Sequence, residues 1–213
     1  MPEARRQIVR AIIFQAAGAL AFLVGTLVIG ARIRRNPNKE NAESLSRVSH
    51  LLFWGGLVLP ELLGVLRPGL AAFDGLLGLP SLPPSVFIRA SGWFLLAAGA
   101  YLVAASGLAL RTKGEGYAAF RLTRRVVAQS VYEYVRNPMS LGMYCGYVGI
   151  SVLAGSSYLL LGAVLVVIPA HVFNLLYFEQ GELLARYGTS YADYMRRVPF
   201  ILPLPHGGAN GRP

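Results

Sequence analysis

The sequence predicts an all-α integral membrane protein of about five transmembrane helices, with a C-terminal helical hairpin and a cytoplasmic tail helix. Three observations carry that prediction. Charged residues make up 14% of the 213-residue chain, against about 25% in soluble domains, and mean hydropathy is +0.50. Apolar runs long enough to cross a bilayer, which takes about 20 helical residues, recur along the chain. The basic residues, in net excess by +10, sit at the ends of those runs rather than on a groove-binding element. Membrane topology accounts for them, and no nucleic-acid partner is expected.

The elements follow in order. Gln7–Ala31 is the first span, bounded by Arg5, Arg6 and Arg10 before it and by Arg32, Arg34 and Arg35 after it. It is too long for a signal-peptide core and no small-residue cleavage site follows, so it reads as a retained span. Asn36-Pro37-Asn38 marks a turn, and the second span runs from about Val48 to Leu66. Within it Pro60 should kink the helix and free carbonyls for other partners. Glu61 reads as an interfacial residue near a helix end, although membrane carboxylates are often functional. Leu66–Ser85, rich in proline and glycine, reads as an apolar loop at the interface. Val86–Leu110 is the third span, with Gly92, Gly99 and Gly107 placed for close helix approach. After the polar Arg111–Arg136 segment, Pro138–Leu153 and about Tyr158–Phe178 form the hairpin, joined at Ala154-Gly155-Ser156-Ser157. The tail from Glu179 keeps a helical pattern to Pro199, and His206–Pro213 reads as disordered. The expected organisation is two helices and a loop over 1–85, a three-helix core with the site over 86–205, and the terminal tail.

Five spans place the Arg32–Arg47 loop, the Arg111–Arg136 segment and the tail on one side of the membrane. Those segments hold fifteen of the twenty basic residues. The positive-inside rule makes that side cytoplasmic and the N-terminus external. A single cysteine, Cys145, excludes an internal disulfide; with no supporting base nearby in sequence it reads as a small buried hydrophobe rather than a nucleophile.

Residues suited to chemistry gather on the cytoplasmic side. Asn137 is a favoured helix N-cap and Pro138 a favoured first residue, so a helix should start there. Its exposed amides, with Arg136 beside them, form a site for a carboxylate or phosphate; the plain alternative is a capped helix with a surface arginine. His171, Asn174, Phe178 and Glu182 share one helical face, bordered by Glu179. Polar groups at that depth need partners and should face the bundle interior. The plain alternatives are a histidine bonded to a carbonyl, and glutamates that snorkel or pair with Arg186. His50, His171 and His206 lack metal-site spacing, so no metal is expected. Lys113-Gly114-Glu115-Gly116 lacks the order of a P-loop and by itself is a flexible turn.

Taken together, the segment from about Ser91 to Pro203 resembles the isoprenylcysteine carboxyl methyltransferase and phospholipid methyltransferase superfamily. Lys113-Gly114-Glu115-Gly116 stands where bacterial members carry a Gly-x-Gly turn. Tyr132 and Tyr134 keep a Gly-x-Tyr-x-Tyr pattern in which Ser130 replaces the glycine. Arg136-Asn137-Pro138-Met139 is similar to the family's Arg-His-Pro or Arg-Asn-Pro turn, with Ser140 in place of the usual tyrosine. Glu179-Gln180 stands for the paired acids, and Glu182-Leu183, Tyr187-Gly188, Tyr191, Tyr194 and Val198-Pro199 match the tail.

The resemblance implies S-adenosylmethionine as cofactor and a bacterial inner-membrane location. It implies a cofactor pocket of Gly114, Gly116, Tyr132, Arg136, Asn137, Pro138, His171, Glu179, Glu182 and Tyr191. It also implies that Glu179, Arg136 and Arg197 serve the transfer, Arg197 orienting an anionic acceptor. That acceptor would be a lipid or a lipid-attached carboxylate, amine or hydroxyl, entering between helices. An in-line displacement onto a carboxylate needs positioning more than acid–base help, whereas an amine or hydroxyl needs a base, for which Glu179 or Glu182 serves. Two other classes compete: a non-catalytic membrane scaffold or lipid-binding protein, and an NADPH-dependent membrane reductase of the sterol-reductase kind, which shares an Arg-His-Pro turn.

Overall fold

A computed structural model describes residues 3–66, 72–114 and 123–203, and no β-strand occurs among them. The helices are α1 (Glu3–Arg35), α2 (Lys39–Leu52), α3 (Leu59–Leu66), α4 (Ala72–Leu77), α5 (Val86–Lys113), α6 (Pro138–Leu153), α7 (Ser157–Gly162), α8 (Ile168–Asn174), α9 (Gln180–Tyr187) and α10 (Thr189–Arg197). A π-helical turn at Phe53–Val58 joins α2 to α3, and two more, Ala163–Val167 and Leu175–Glu179, join α7 through α9 into one helix over Ser157–Tyr187.

Three described helices are long and apolar enough to cross a membrane: Glu3–Arg35, Val86–Lys113 and Ser157–Tyr187. Only 28%, 17% and 33% of their most apolar windows are buried inside the protein, so most of that apolar surface faces outward. In water such a surface would be untenable; in lipid it is solvated. The shorter α6 is apolar too.

Two of the π turns have a local cause. Proline clashes with the carbonyl four residues back, and Pro60 and Pro169 each stand four residues after a position inside a π turn, Gly56 and Leu165. A widened turn accommodates the ring, so the helix continues through Pro60 rather than breaking there.

Backbone proximity sets the main packing. A Cβ built on Gly99 would lie 2.6 Å from the Gly142 carbonyl oxygen, and one on Gly142 would lie 2.8 Å from that of Gly99. Further along, a Cβ built on Gly149 would lie 2.8 Å from the Gly92 carbonyl oxygen, so α5 and α6 pack closely along their length. Lipid supplies little hydrophobic drive for helix pairing, and close van der Waals approach at small residues replaces it. Gly18 of α1 and Gly56 of the first π turn make a second such contact.

The Leu66–Ser85 region, expected to be an apolar loop, contains α4. Its Asp74 is 5% exposed and accepts a hydrogen bond from the Tyr158 amide at 2.8 Å, while Phe73 stacks on the Tyr158 ring at 4.5 Å. A carboxylate at the N-terminus of the helix that starts at Ser157 satisfies a free amide and complements the helix dipole.

Glu61 departs from its expected interfacial role. Its carboxylate accepts hydrogen bonds from Gln15 Nε2 at 3.0 Å and the Tyr147 hydroxyl at 2.6 Å, and Tyr158 donates to Gln15 Oε1 at 2.6 Å. One polar network thus ties α1, α3, α6 and α7 together, because a carboxyl between apolar helices must find partners there.

Replacing Gly142 with leucine should destabilise the helix pair by about 1–3 kcal/mol, the usual cost of overpacking. Gly146, whose added Cβ meets nothing within 4 Å, should accept alanine without loss. Thermal unfolding in detergent compares the two; equal effects would remove the glycine seam as the basis of packing.

Candidate active site

One cavity of about 510 Å³ opens where the C-terminal helices meet α2. From the C-terminal third it takes Arg136, Asn137, Met139, Ser140 and Met143 near the start of α6. The last long helix gives His171, Asn174, Phe178, Glu179 and Glu182, and the tail gives Tyr191 and Tyr194. From the N-terminal half it takes Ser46, Ser49 and His50 of α2, with Phe53 and Trp54 of the following π turn.

The α6 entry differs from its expected form. Asn137 occupies the N-cap position and Pro138 the first turn, but the Asn137 side chain makes no capping bond. Its Nδ2 donates instead to the Phe200 carbonyl at 3.0 Å, and the Arg136 amide donates to the Pro199 carbonyl at 2.8 Å. The Arg136 guanidinium lies 5.5 Å from the centre of the Phe200 ring. Tertiary strapping of the 198–200 segment onto the helix entry thus replaces the local cap. Further along the tail, Tyr194 donates to the Tyr132 carbonyl at 2.7 Å, and Gly188, at φ 56° and ψ −128°, makes the corner between α9 and α10.

Ser130 has φ 61°. This is left-handed backbone, where glycine is at ease and an L side chain costs about 1–2 kcal/mol. The glycine of the resembled pattern at this position therefore has a backbone reason, and serine carries the strain.

Glu182, 2% exposed, forms an ion pair with Arg186 at 2.8 Å, both side chains almost fully buried. Arg186 also donates to the Thr123 carbonyl and, at 2.9 Å, to the Tyr187 hydroxyl, which itself donates to Thr123 at 2.6 Å. Glu182 and Arg186 thus fasten the chain at Thr123 across α9. Glu179 closes the π turn Leu175–Glu179. The wider turn takes fewer degrees per residue and so retards the helical phase, and Glu179 lines the same cavity as Glu182.

Tyr191 is buried, and burial raises its phenol to about 12; Glu179 adds to the rise and the hydrogen-bonding Arg136 opposes it. Tyr194 is raised as well, chiefly by burial. Both stay neutral donors through the physiological range.

Of the residues picked from the sequence, Tyr132, Arg136, Asn137, His171, Glu179, Glu182 and Tyr191 line the cavity. Pro138 is fully buried and Gly114 closes the end of α5, its amide bonded to the Leu110 carbonyl at 2.9 Å; neither lines the cavity. Gly116 lies outside the described residues. Arg197 is exposed, its Nε donating to the Asp193 carbonyl at 3.3 Å, and it stands apart from the lining, because its position on α10 turns it to the surface. Sequence reasoning missed the α2 contribution; the serines and His50 around Arg47 were its signal.

Residues 87–190 match the phospholipid methyltransferase family. This match, over just under half of the chain, agrees with the resemblance to the isoprenylcysteine carboxyl methyltransferase and phospholipid methyltransferase superfamily. Among curated proteins it is 35% identical over 80 residues to methanethiol S-methyltransferase of Mycobacterium tuberculosis, covering 37% of this chain and 31% of the relative. It is 30% identical over 118 residues to methanethiol S-methyltransferase 2 of Bradyrhizobium diazoefficiens, covering 53% of this chain and 42% of the relative. The alignments thus span well under half the length of these relatives. No solved structure gives a significant match.

Two substitutions separate local roles. Arg186→Ala should destabilise the protein by about 3–5 kcal/mol by leaving Glu182 buried and unpaired, whereas Arg197→Ala should stay within about 0.5 kcal/mol. Ser130→Gly should stabilise by about 1 kcal/mol as the left-handed strain is relieved. Unfolding transitions in detergent report all three; a neutral Arg186→Ala would mean that the pair does not hold Thr123 in place.

Proposed function

We propose that this protein transfers a methyl group from S-adenosylmethionine to a lipid-borne or small lipophilic acceptor at the cytoplasmic face of the bacterial inner membrane. In this reading the chain crosses five times, with α2–α3 and α6 joining the three long helices, the N-terminus outside and the tail inside. The single observation that carries it is convergence. Residues of the matched family segment and the tail meet in one cavity whose volume suits a small-molecule ligand.

The lining fits such a cofactor. Arg136 Nε is buried without a hydrogen-bond partner among the described residues, an uncommon state that calls for an acceptor, and a cofactor carboxylate beside the α6 N-terminus provides one. Glu179 faces the same space and suits ribose hydroxyls or a sulfonium charge. Tyr132 and Tyr191 add aromatic walls, which favour cations. When bound, S-adenosylmethionine supplies an electrophilic methyl group. The residues of this chain fix its orientation, exclude water beneath the tail and bring the acceptor into line, which is where most of the rate in such a displacement arises. Arg197, outside the lining, is left without the acceptor role that the resemblance gave it.

Calorimetric binding of S-adenosylhomocysteine to detergent-purified protein tests this reading. Glu179→Ala should weaken it about 10–100-fold, the range expected on losing a charged hydrogen bond, and Arg197→Ala should leave it unchanged. Absence of binding to folded wild-type protein, or wild-type affinity in Glu179→Ala, would overturn the pocket.

A further inference from the structure

Two arginines that line the cavity each keep one donor unmatched. Arg136 stands at the entry to α6 and Arg186 in the last turn of α9. The Nε atom of each is buried without a hydrogen-bond partner among the described residues. Their charges are in different states. Among the described residues no carboxylate pairs with Arg136, whose neighbours are the Phe200 ring and the Tyr191 hydroxyl. Arg186 is already offset. Its Nη1 donates to Glu182 at 2.8 Å, and the two side chains are only 5% and 3% exposed. Its Nη2 serves the Thr123 carbonyl and the Tyr187 hydroxyl. What remains on Arg186 is a single N–H belonging to a neutral pair.

Resting on the methyl-transfer reading, we infer that Arg186 Nε reads the cofactor's base by donating to a ring nitrogen of adenine, while Arg136 takes the carboxylate at the cofactor's other end. The two arginines thus set which way round the cofactor lies. Charge decides between them. A ligand anion at Arg186 would stand beside Glu182, with Glu179 lining the same cavity, and like charges repel strongly in a buried site. The same anion at Arg136 meets an unpaired cation and the α6 N-terminus.

Arg186 Nε therefore calls for an uncharged acceptor, since a guanidinium N–H can only donate. The cofactor offers two kinds, ribose oxygens and the ring nitrogens of adenine. Ribose hydroxyls are donors as well and suit the carboxylate of Glu179. That residue lies seven positions before Arg186 on the same helix, about 10 Å away by helix rise. The base is what is left for Arg186. The surroundings suit a flat, mostly apolar ring: Val126, Leu183 and Tyr187 pack in one cluster, and all three line the cavity. An apolar pocket with one fixed polar group is the usual way to hold and orient such a ring. A base without the acceptor atom would leave the Nε donor buried and unmatched, which is how one bond discriminates.

Analogues of S-adenosylhomocysteine test the assignment without turnover. Calorimetry on purified full-length protein in detergent compares the parent with analogues in which ring nitrogen N1, N3 or N7 is replaced by C–H, and with the decarboxylated form. Wild type should bind one of the three ring analogues about tenfold or more weaker than the parent, the scale of a hydrogen bond from a charged donor. Arg186→Lys keeps a cation for Glu182 but puts a methylene where Nε stands. It should bind the parent about tenfold weaker and bring that ring analogue within about twofold of the parent. The decarboxylated form should lose about tenfold or more in both proteins, because its missing group belongs at Arg136. Thermal unfolding checks that Arg186→Lys is folded; if it is not, the wild-type ring series carries the test.

All three ring analogues binding wild type as tightly as the parent would overturn the base contact, as would an equal penalty in wild type and Arg186→Lys. A decarboxylation penalty that disappears in Arg186→Lys would overturn the orientation, placing the carboxylate at Arg186. In each of these cases the parent still binds and the methyl-transfer reading stands. Absence of S-adenosylhomocysteine binding to folded wild type would overturn that reading and the inference with it.

Discussion

The contact between α5 and α6 is the constraint on which the site depends. Gly99 and Gly142 bring two backbones within side-chain distance of each other, and a membrane helix pair has little else to hold it. That contact fixes the height of the α6 N-terminus, and with it Arg136 and Asn137. The tail can then strap across the helix entry only where the Pro199 and Phe200 carbonyls meet those two residues. A looser α5–α6 pair would move the cavity wall relative to Glu179, whose position is fixed by a different helix.

That second helix is held from the N-terminal side. Gly30 of α1 sits where an added Cβ would clash with the Tyr177 ring, and Arg34 donates to the Tyr177 carbonyl at 2.8 Å while lying 3.5 Å from the ring centre. The carbonyl belongs to the π turn that ends at Glu179. A π turn leaves backbone acceptors imperfectly paired, and the Arg34 donor meets that need in a place where water is scarce. The first helix therefore contributes to the site without touching its cavity.

Polar groups inside the bundle divide into two sets. Glu61, Gln15, Tyr147 and Tyr158 satisfy one another and join four helices. At the cavity, by contrast, buried donor atoms remain unmatched: Arg136 Nε has no partner among the described residues. Burial of an unpaired donor costs about 1–3 kcal/mol, and a fold tolerates that cost where a ligand offsets it.

Composition and charge placement alone determine that this is a helical membrane protein, because apolar length and basic flanks are properties of the chain itself. Helical periodicity brings His171, Asn174, Phe178 and Glu182 to one face, and local propensity starts a helix at Pro138. Tertiary structure decided the rest. The α2 residues at the cavity lie more than eighty positions from Arg136, so no local pattern connects them. Glu179 joins its face through a π turn that α-helical spacing does not foresee. Asn137 bonds to Phe200 instead of capping its own helix, and Glu61 turned inward because Gln15 and Tyr147 stand opposite it. Arg197 faced away because its place on α10 follows from the Gly188 corner. In each case the deciding partner is distant in sequence, and hydrogen-bond satisfaction in a medium without water selects it.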